Sequence, residues 1–354
     1  MSTLPTESAR QSALAALDPR RWGCSPCLGG WTTRLPDIGE VRIASLGWQH
    51  AQTAARDGEG DGANALGLLV ALQGEVWGMP PEETVPANLL AVLPETGGSV
   101  LVAYRAETGW TAEGWLGFAL AAGARSGVLV SHMLGVRDGI RGGHGLGWLL
   151  KAVQGYEAVR TGHHAATWTF DPMRGANARL NVEKLGGVCR TLTVDKYGPL
   201  RSALYGDVPS DRLVATWDLL DPAVATRLAA VHDGSRAVLS AADLAAIPEA
   251  ARKLGTGRDS AATLRYEIPA DIDRLTRDDP AAAARWRGEM RRVLGALLAT
   301  ERAVPGPGGD PLRTAVERTP GAFVVDGFAS VLEGGGERRN HYLLSRRPIE
   351  EAPG

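Results

Sequence analysis

Apolar positions recur along this chain in two periods, separated by glycine- and proline-rich stretches. Residues 41–46, 99–104 and 115–121 are short apolar runs bounded by turn formers, as buried strands are. Leu68, Leu69, Leu72 and Val76 repeat at helical spacing and predict a helix over 65–76, stopped by Met79-Pro80-Pro81. Residues 88–93 predict a short helix or turn. The most informative stretch begins at 129. An apolar run to Val136 is followed by a glycine-dense loop, Gly139 to Gly147, and then by Leu146, Leu149, Leu150 and Val153, which predict a helix over 146–160. The strands form an antiparallel meander that feeds a parallel pair through the 146–160 helix.

Beyond residue 221 the pattern predicts a strand at 264–268 and a helix over 282–298, with Trp286, Met290, Val293, Leu294 and Leu297 on one face. Strands at 322–328 and 342–345 flank a glycine turn at 334–336. The expected organisation is a loosely ordered arm over 1–38, rich in Pro, Gly and Arg, a main domain over 39–220, and a smaller C-terminal α/β domain over 221–354. The fold class is α/β in the α+β sense: a mixed central sheet plus a C-terminal β-α-β-β unit.

Strand, glycine loop and helix together make an anion site. Glycines let a backbone approach a phosphate, and a helix start offers unpaired N–H groups and the positive end of its dipole. Gly142 to Gly147 has P-loop glycine spacing, but Trp148 and Leu149 stand where Lys and Ser or Thr are required, which argues against a nucleotide triphosphatase. Gly145 and Gly147 match two glycines of the dinucleotide fingerprint, yet Leu150 takes the third place, so NAD binding is a minor alternative. The pyrophosphate of coenzyme A is the remaining option.

At this loop the chain resembles the GNAT acyltransferases, whose fourth strand enters a (Gln/Arg)-x-x-Gly-x-(Gly/Ala) loop. The pattern falls on Gly142, Gly143, His144, Gly145, Leu146 and Gly147, with glycine at the first position and Arg141 one residue early. A bacterial subgroup of that family is more similar still. It shares Val76-Trp77-Gly78, Ser131-His132-Met133, Trp168 through Pro172, Asn177-Ala178 with Asn181, and Ser210-Asp211-Arg212 before Trp217. The match covers roughly residues 40 to 220. The resemblance implies a GNAT fold of order β-α-α-β-β-β-α-β-α-β, with residues 166–170 a strand and 177–186 a helix. It also implies an acyl-CoA-dependent N-acyltransferase that moves an acetyl, succinyl or similar group directly to a small-molecule primary amine, amino acids among the candidates. A non-catalytic acyl-CoA-binding regulatory module is the alternative.

The resemblance further implies site residues. Met133, Leu134, Gly135 and Val136 would offer backbone groups to the pantetheine arm, the glycine loop with His144 would hold the pyrophosphate, and Asn177 and Asn181 would hold pantetheine amides. Glu75, beside Val76-Trp77, is the candidate base, and a solvated helix-end glutamate is the competing reading. His132 is a second candidate, unless strand alternation turns it into the core. The family's general-acid tyrosine, aligned on Ala178, falls at Val182. Tyr197, on the strand edge 194–198, is the nearest substitute. The C-terminal unit would cover the acceptor side or form a homodimer contact.

Composition narrows the partners. The chain has 354 residues, 44% hydrophobic and 22% charged, and a net charge of −2 gives no general attraction to nucleic acid or anionic membranes. Its tryptophans do not alternate with a basic stripe. Cys24 and Cys27 form a single C-x-x-C without the second pair of a zinc site, and His163-His164 lacks ligand neighbours, so no metal is expected. No Gly-x-Ser-x-Gly elbow is present. With no run of about 18 apolar residues and no signal-like start, a soluble cytoplasmic protein is expected.

Overall fold

The computed structural model describes residues 5–51, 64–124, 126–141, 145–198, 209–250, 261–305, 314–332, 336 and 338–347. Helix α1 (Glu7–Leu17) precedes strands β1 (Ser25–Cys27), β2 (Gly30–Leu35) and β3 (Gly39–Ser45). Helices α2 (Ala65–Trp77) and α3 (Ala87–Val92) lead to β4 (Ser99–Arg105), β5 (Trp115–Ala122) and β6 (Val128–Val136). Helix α4 (Leu146–Arg160) crosses to β7 (Ala165–Phe170), and α5 (Gly175–Ala178) runs into a π-helical turn, Arg179–Lys184, before β8 (Val188–Val194) and β9 (Arg212–Asp218). The remainder comprises α6 (Pro222–His232), α7 (Ala241–Ala246), β10 (Thr263–Ile268), α8 (Ile272–Asp278), α9 (Pro280–Leu297), β11 (Ala299–Val304), β12 (Ala315–Thr319), β13 (Phe323–Leu332) and β14 (Arg338–Arg346).

Among the described residues fourteen strands form one mixed sheet, ordered β1-β2-β3-β4-β5-β6-β7-β9-β8-β13-β14-β10, with β11 and β12 off this path. The meander to β6 is antiparallel throughout, and β6–β7 is the parallel pair that the α4 crossover requires. Strand β5 reads as a continuous apolar run because both its faces are covered. Leu116, Ala119 and Ala121 pack with Leu149, Leu150 and Val153 of α4, while Trp115, Phe118 and Leu120 pack with Leu66, Leu69, Leu72 and Val76 of α2. These two cores fix the helices on opposite faces of β6.

The loosely ordered arm is corrected from residue 5 onward. Leu17, Trp22 and Trp31 are buried, and Trp22 meets Trp148 of α4 edge-on at 5.7 Å. Arg10 donates to the carbonyls of Val159 (3.0 Å), which also accepts from Gly162 N (3.1 Å), and of Arg160 (2.7 Å), tying α1 to the end of α4. Residues 1–4 lie outside the described set. Cys24 is buried and free, and burial raises its thiol to about 11, the opposite of what a reactive cysteine needs.

The expected boundary at 220 is not a break in the sheet. Strand β11 pairs parallel to β8, and β13 pairs β8 at Val325↔Cys189. The β-α-β-β unit expected after 221 is larger than its hydrophobic pattern indicated: helices α6, α7 and α8 and the β11–β12 hairpin are additional. Strand β9, inserted between β7 and β8, was also absent from the expected order. The C-terminal elements brace the chain leaving β7. Arg287 of α9 holds buried Asp171 through two hydrogen bonds, 3.2 and 3.0 Å, and Tyr342 of β14 donates to Pro172 O at 2.7 Å.

Candidate active site

Strands β6 and β7 pair at three positions, Val128↔Ala165, Leu129↔Ala166 and Val130↔Thr167. Beyond them β6 stays with β5 as far as Gly117↔Val136, while β7 stays with β9 as far as Phe170↔Leu213. Each strand follows its outer neighbour, so the two part and a notch opens in the sheet. The register also shifts where Leu120 faces Met133 and Ala121 faces Ser131, which leaves His132 as a bulge residue. A bulge bends its strand and re-aims its side chains. Alternation does not turn His132 into the core: Leu129 and Ser131 are buried, while Val130 and His132 face outward.

The notch is a cavity of about 110 Å³ lined by Ser131, His132, Lys151, Trp168, Thr169, Asn181 and their neighbours. It shares Leu134 and Asn177 with a cavity of about 450 Å³ walled by Trp77, Gly135, Val136, Arg141, Arg174 and residues 270–273. The C-terminal unit therefore supplies one wall of the cleft, through Ala270, Asp271, Ile272 and Asp273. A separate groove of about 530 Å³ between α1 and α6 shares no residue with this cleft.

Lys151 is the side chain that sequence reasoning missed. It is 2% exposed, and its Nζ donates to Ser131 Oγ (2.7 Å) and Gln154 Oε1 (3.3 Å) and lies 3.9 Å from the Trp168 ring centroid. Among the described residues no carboxylate balances it, and burial brings its amine from 10.5 down to about 7. Desolvation by the packed walls also lowers the His132 imidazole below its ordinary value, which favours its neutral form. Asn181 is buried in the cavity wall and, among the described residues, its amide makes no hydrogen bond. The π-helical turn carries Asn181 to the same wall as Asn177, which is exposed.

At the other end of β6, Gly145 takes φ +72° and begins α4, a conformation that favours glycine. Among the described residues no side chain caps this helix start, whose first helical bond is Leu149 N to Gly145 O. Leu146 and Gly147 form its first turn. Arg141 donates to Val136 O (2.8 Å) and Val76 O (2.6 Å), bridging β6 to α2 beside the cleft. Gly142, Gly143 and His144 lie outside the described residues.

The structure brings Met133, Leu134, Asn177 and Asn181 together in the notch, and Leu134, Gly135, Val136 and Asn177 in the larger cavity. A Cβ at Gly135 would lie 2.6 Å from the Phe118 ring, so glycine is what the packing of β6 on β5 admits. Glu75, the candidate base, accepts from Arg137 Nη2 at Oε2 (2.6 Å) and forms an ion pair with Arg137 Nε at Oε1 (2.6 Å), and it lines neither cavity. Lone pairs already engaged by a guanidinium accept a substrate proton poorly. Tyr197 is placed in the turn after β8 and not on a strand edge. Its hydroxyl lies 2.9 Å from Thr169 Oγ1 at the notch. Ser210 and Asp211 hold that turn: Tyr197 N donates to Ser210 Oγ (3.0 Å), and Asp195 N donates to Asp211 Oδ1 (3.0 Å). Val182, where the resemblance would put a tyrosine, is fully buried core.

No protein-family model and no curated protein sequence matches the chain. Solved structures similar to it include a candidate acetyltransferase from Salmonella typhimurium with its cofactor acetyl-CoA, at 18% identity and TM-score 0.36, covering 51% of this chain and 95% of that one. An N-acetyltransferase from Staphylococcus aureus is similar at 14% identity and TM-score 0.36 (51% and 98%). A ribosomal-protein-alanine N-acetyltransferase from Brucella melitensis is similar at 20% and 0.34 (44% and 95%). Among the described residues no helix is long and apolar enough to cross a membrane, and no three His, Cys, Asp or Glu side chains group as metal ligands.

Proposed function

We propose that the chain is an acyl-CoA-dependent N-acyltransferase that moves an acetyl, succinyl or similar acyl group directly to the primary amine of a small molecule, amino acids among the candidates. The parting of β6 from β7 after three residue pairs carries this reading. It leaves the inner edge of β6 open to an extended ligand just before a glycine-initiated helix. A pantetheine arm is an extended amide chain, and it adds to the backbone of Met133–Val136 as a further strand would. The diphosphate then meets the uncapped N–H groups of Leu146 and Gly147. The sulphur end reaches the notch, where Asn181 offers a free amide.

Attack on a thioester requires a neutral amine. With Glu75 bound to Arg137, the neutral imidazole of His132, exposed on the notch wall, is the group suited to take the ammonium's proton. Tyr197, through Thr169, lies on the β7 side of the same notch. The wall at Ala270–Asp273 and the Arg174–Asp273 ion pair (2.9 Å) border the space left for an acceptor.

Incubation with acetyl-CoA or succinyl-CoA and a panel of amino acids, with thiol release followed continuously, tests this reading. Thiol release that depends on the amine is expected. Tight CoA binding without amine-dependent thiol would favour an acyl-CoA sensor, and nicotinamide cofactor retention without CoA affinity would favour the dinucleotide reading.

A further inference from the structure

The geometry points to Lys151 as the acid–base group of the transfer, giving a proton to the departing thiolate and taking one from the newly acylated nitrogen. This inference rests on the acyl-CoA reading and adds to it a residue that the resemblance does not contain. Lys151 projects from the second turn of α4 into the notch where β6 and β7 part, between Ser131 on one strand and Trp168 on the other. A lysine so placed is costly to bury. The cost argues for a task at that point, because an apolar side chain would fill the same space without it.

The hydrogen bonds orient the amine. Ser131 Oγ donates to Gln154 Oε1 at 2.8 Å, so its lone pairs face Lys151 Nζ, while Gln154 Oε1 receives both groups. All these partners are neutral, and nothing pins the lysine in its charged form as a carboxylate would. The elements packed on α4 carry few ionisable groups. Strands β5 and β7 have none, and β6 has only His132. Strand β4 ends in Tyr104 and Arg105, whose guanidinium donates to Ile38 O. Arg10 and Glu7 of α1 form a pair, with Arg10 also bound to the far end of α4, and Glu157 pairs with Arg160 on α4 itself. Asp18 and Arg20, before the Trp22 that packs on α4, pair with each other, Arg21 lies against the Trp22 ring, and His232 of α6 stacks on Trp148 of α4. Burial alone then brings the lysine to about 7, where both protonation states are populated at working pH.

The step balances. The neutral acceptor amine attacks the thioester carbonyl carbon and forms the C–N bond; the C–S bond breaks and its electron pair stays on sulphur. The Lys151 ammonium delivers a proton to that sulphur, giving free thiol. The acylated nitrogen loses its surplus proton to the Lys151 amine, directly or through water, which restores the ammonium. Thioester and amine become amide and thiol, with no further reactant.

The test compares Lys151→Met with wild type, using acetyl-CoA and the amino acid that gives the fastest thiol release. Met keeps an unbranched side chain, one atom shorter than lysine, and removes the proton. We expect kcat to fall by about 10²-fold or more, CoA affinity measured by calorimetry to stay within a few-fold, and the alkaline limb of the kcat–pH profile to disappear. A variant that binds CoA and keeps both the wild-type kcat and that limb overturns the proposal, leaving Lys151 a packing residue. If wild type itself neither binds CoA nor releases thiol, the acyl-CoA reading fails first. Lys151→Arg separates proton donation from charge: a permanent cation stays as slow as Met, whereas full activity with Arg contradicts proton transfer.

Discussion

Replacing Asp171 by alanine is expected to destabilise the protein by about 3–5 kcal/mol. Asp171 is 3% exposed and its two oxygens are bound by Arg287 of α9, itself buried, while Oδ1 also accepts from Met173 N at 2.9 Å. Removing the carboxylate leaves a guanidinium in the interior with its counter-ion gone. That residual charge, more than the lost bonds, sets the magnitude. Adding Arg287→Met to Asp171→Ala should therefore recover much of the loss, because no uncompensated charge then remains. Urea unfolding of the single and double variants measures this, and strict additivity of the two replacements would contradict it. The pair joins the exit of β7 to the C-terminal half, so the chain should unfold in one transition.

Lys151→Met is expected to make the protein more stable at pH 7, by about 2–4 kcal/mol. The drop of the amine from 10.5 to about 7 corresponds to about 5 kcal/mol as a ceiling, reduced by the lost contacts with Ser131, Gln154 and the Trp168 ring. Its pH dependence has a definite sign. Between about 7 and 10.5 the unfolded chain holds the lysine proton more tightly than the folded one, so stability rises with pH across that window. The cost of burying the lysine is full below about pH 7 and is gone near 10.5. The stability gap between variant and wild type should narrow accordingly, as denaturant titrations at several pH values would show. A constant gap would mean that Lys151 is not buried as a charge. A residue that lowers stability while lining the notch is what a stability–function trade-off looks like at a working site.

Much of the cleft is legible in the sequence. The apolar run from 129 to Val136 and the leucine repeat from Leu146 are strong local signals, and they became β6 and α4 with those bounds to within a residue. Helix α2 was equally plain, since Leu69, Leu72 and Val76 form its buried face. Residues 5–38 were not, because Leu17, Trp22 and Trp31 are isolated anchors whose partners lie far along the chain. Strand β9 has a readable alternation, with Leu213, Ala215 and Trp217 buried, beside the more prominent Ser210-Asp211-Arg212. Strand β12 has no buried face at all and so no pattern to read.

At the site, the limits have the same origin. Glu75 looked free because Arg137 meets it from 62 positions away, a pairing that only tertiary structure creates. Lys151 gave no warning, since a lysine on a helix is ordinarily solvated. Its burial follows from the apolar neighbours Leu149, Leu150, Ala152 and Val153 together with the closeness of both diverging strands.

The central claim is that the notch between β6 and β7 receives the acyl end of acyl-CoA. A crystal structure of the protein with acetyl-CoA tests it most directly. The pantetheine amides should bond to the backbone of Met133–Val136, the diphosphate should lie at the first turn of α4, and the thioester should sit in the cavity of Lys151 and Trp168. Acetyl-CoA bound instead in the groove between α1 and α6, or a notch that stays closed with the ligand at saturating concentration, would contradict the account.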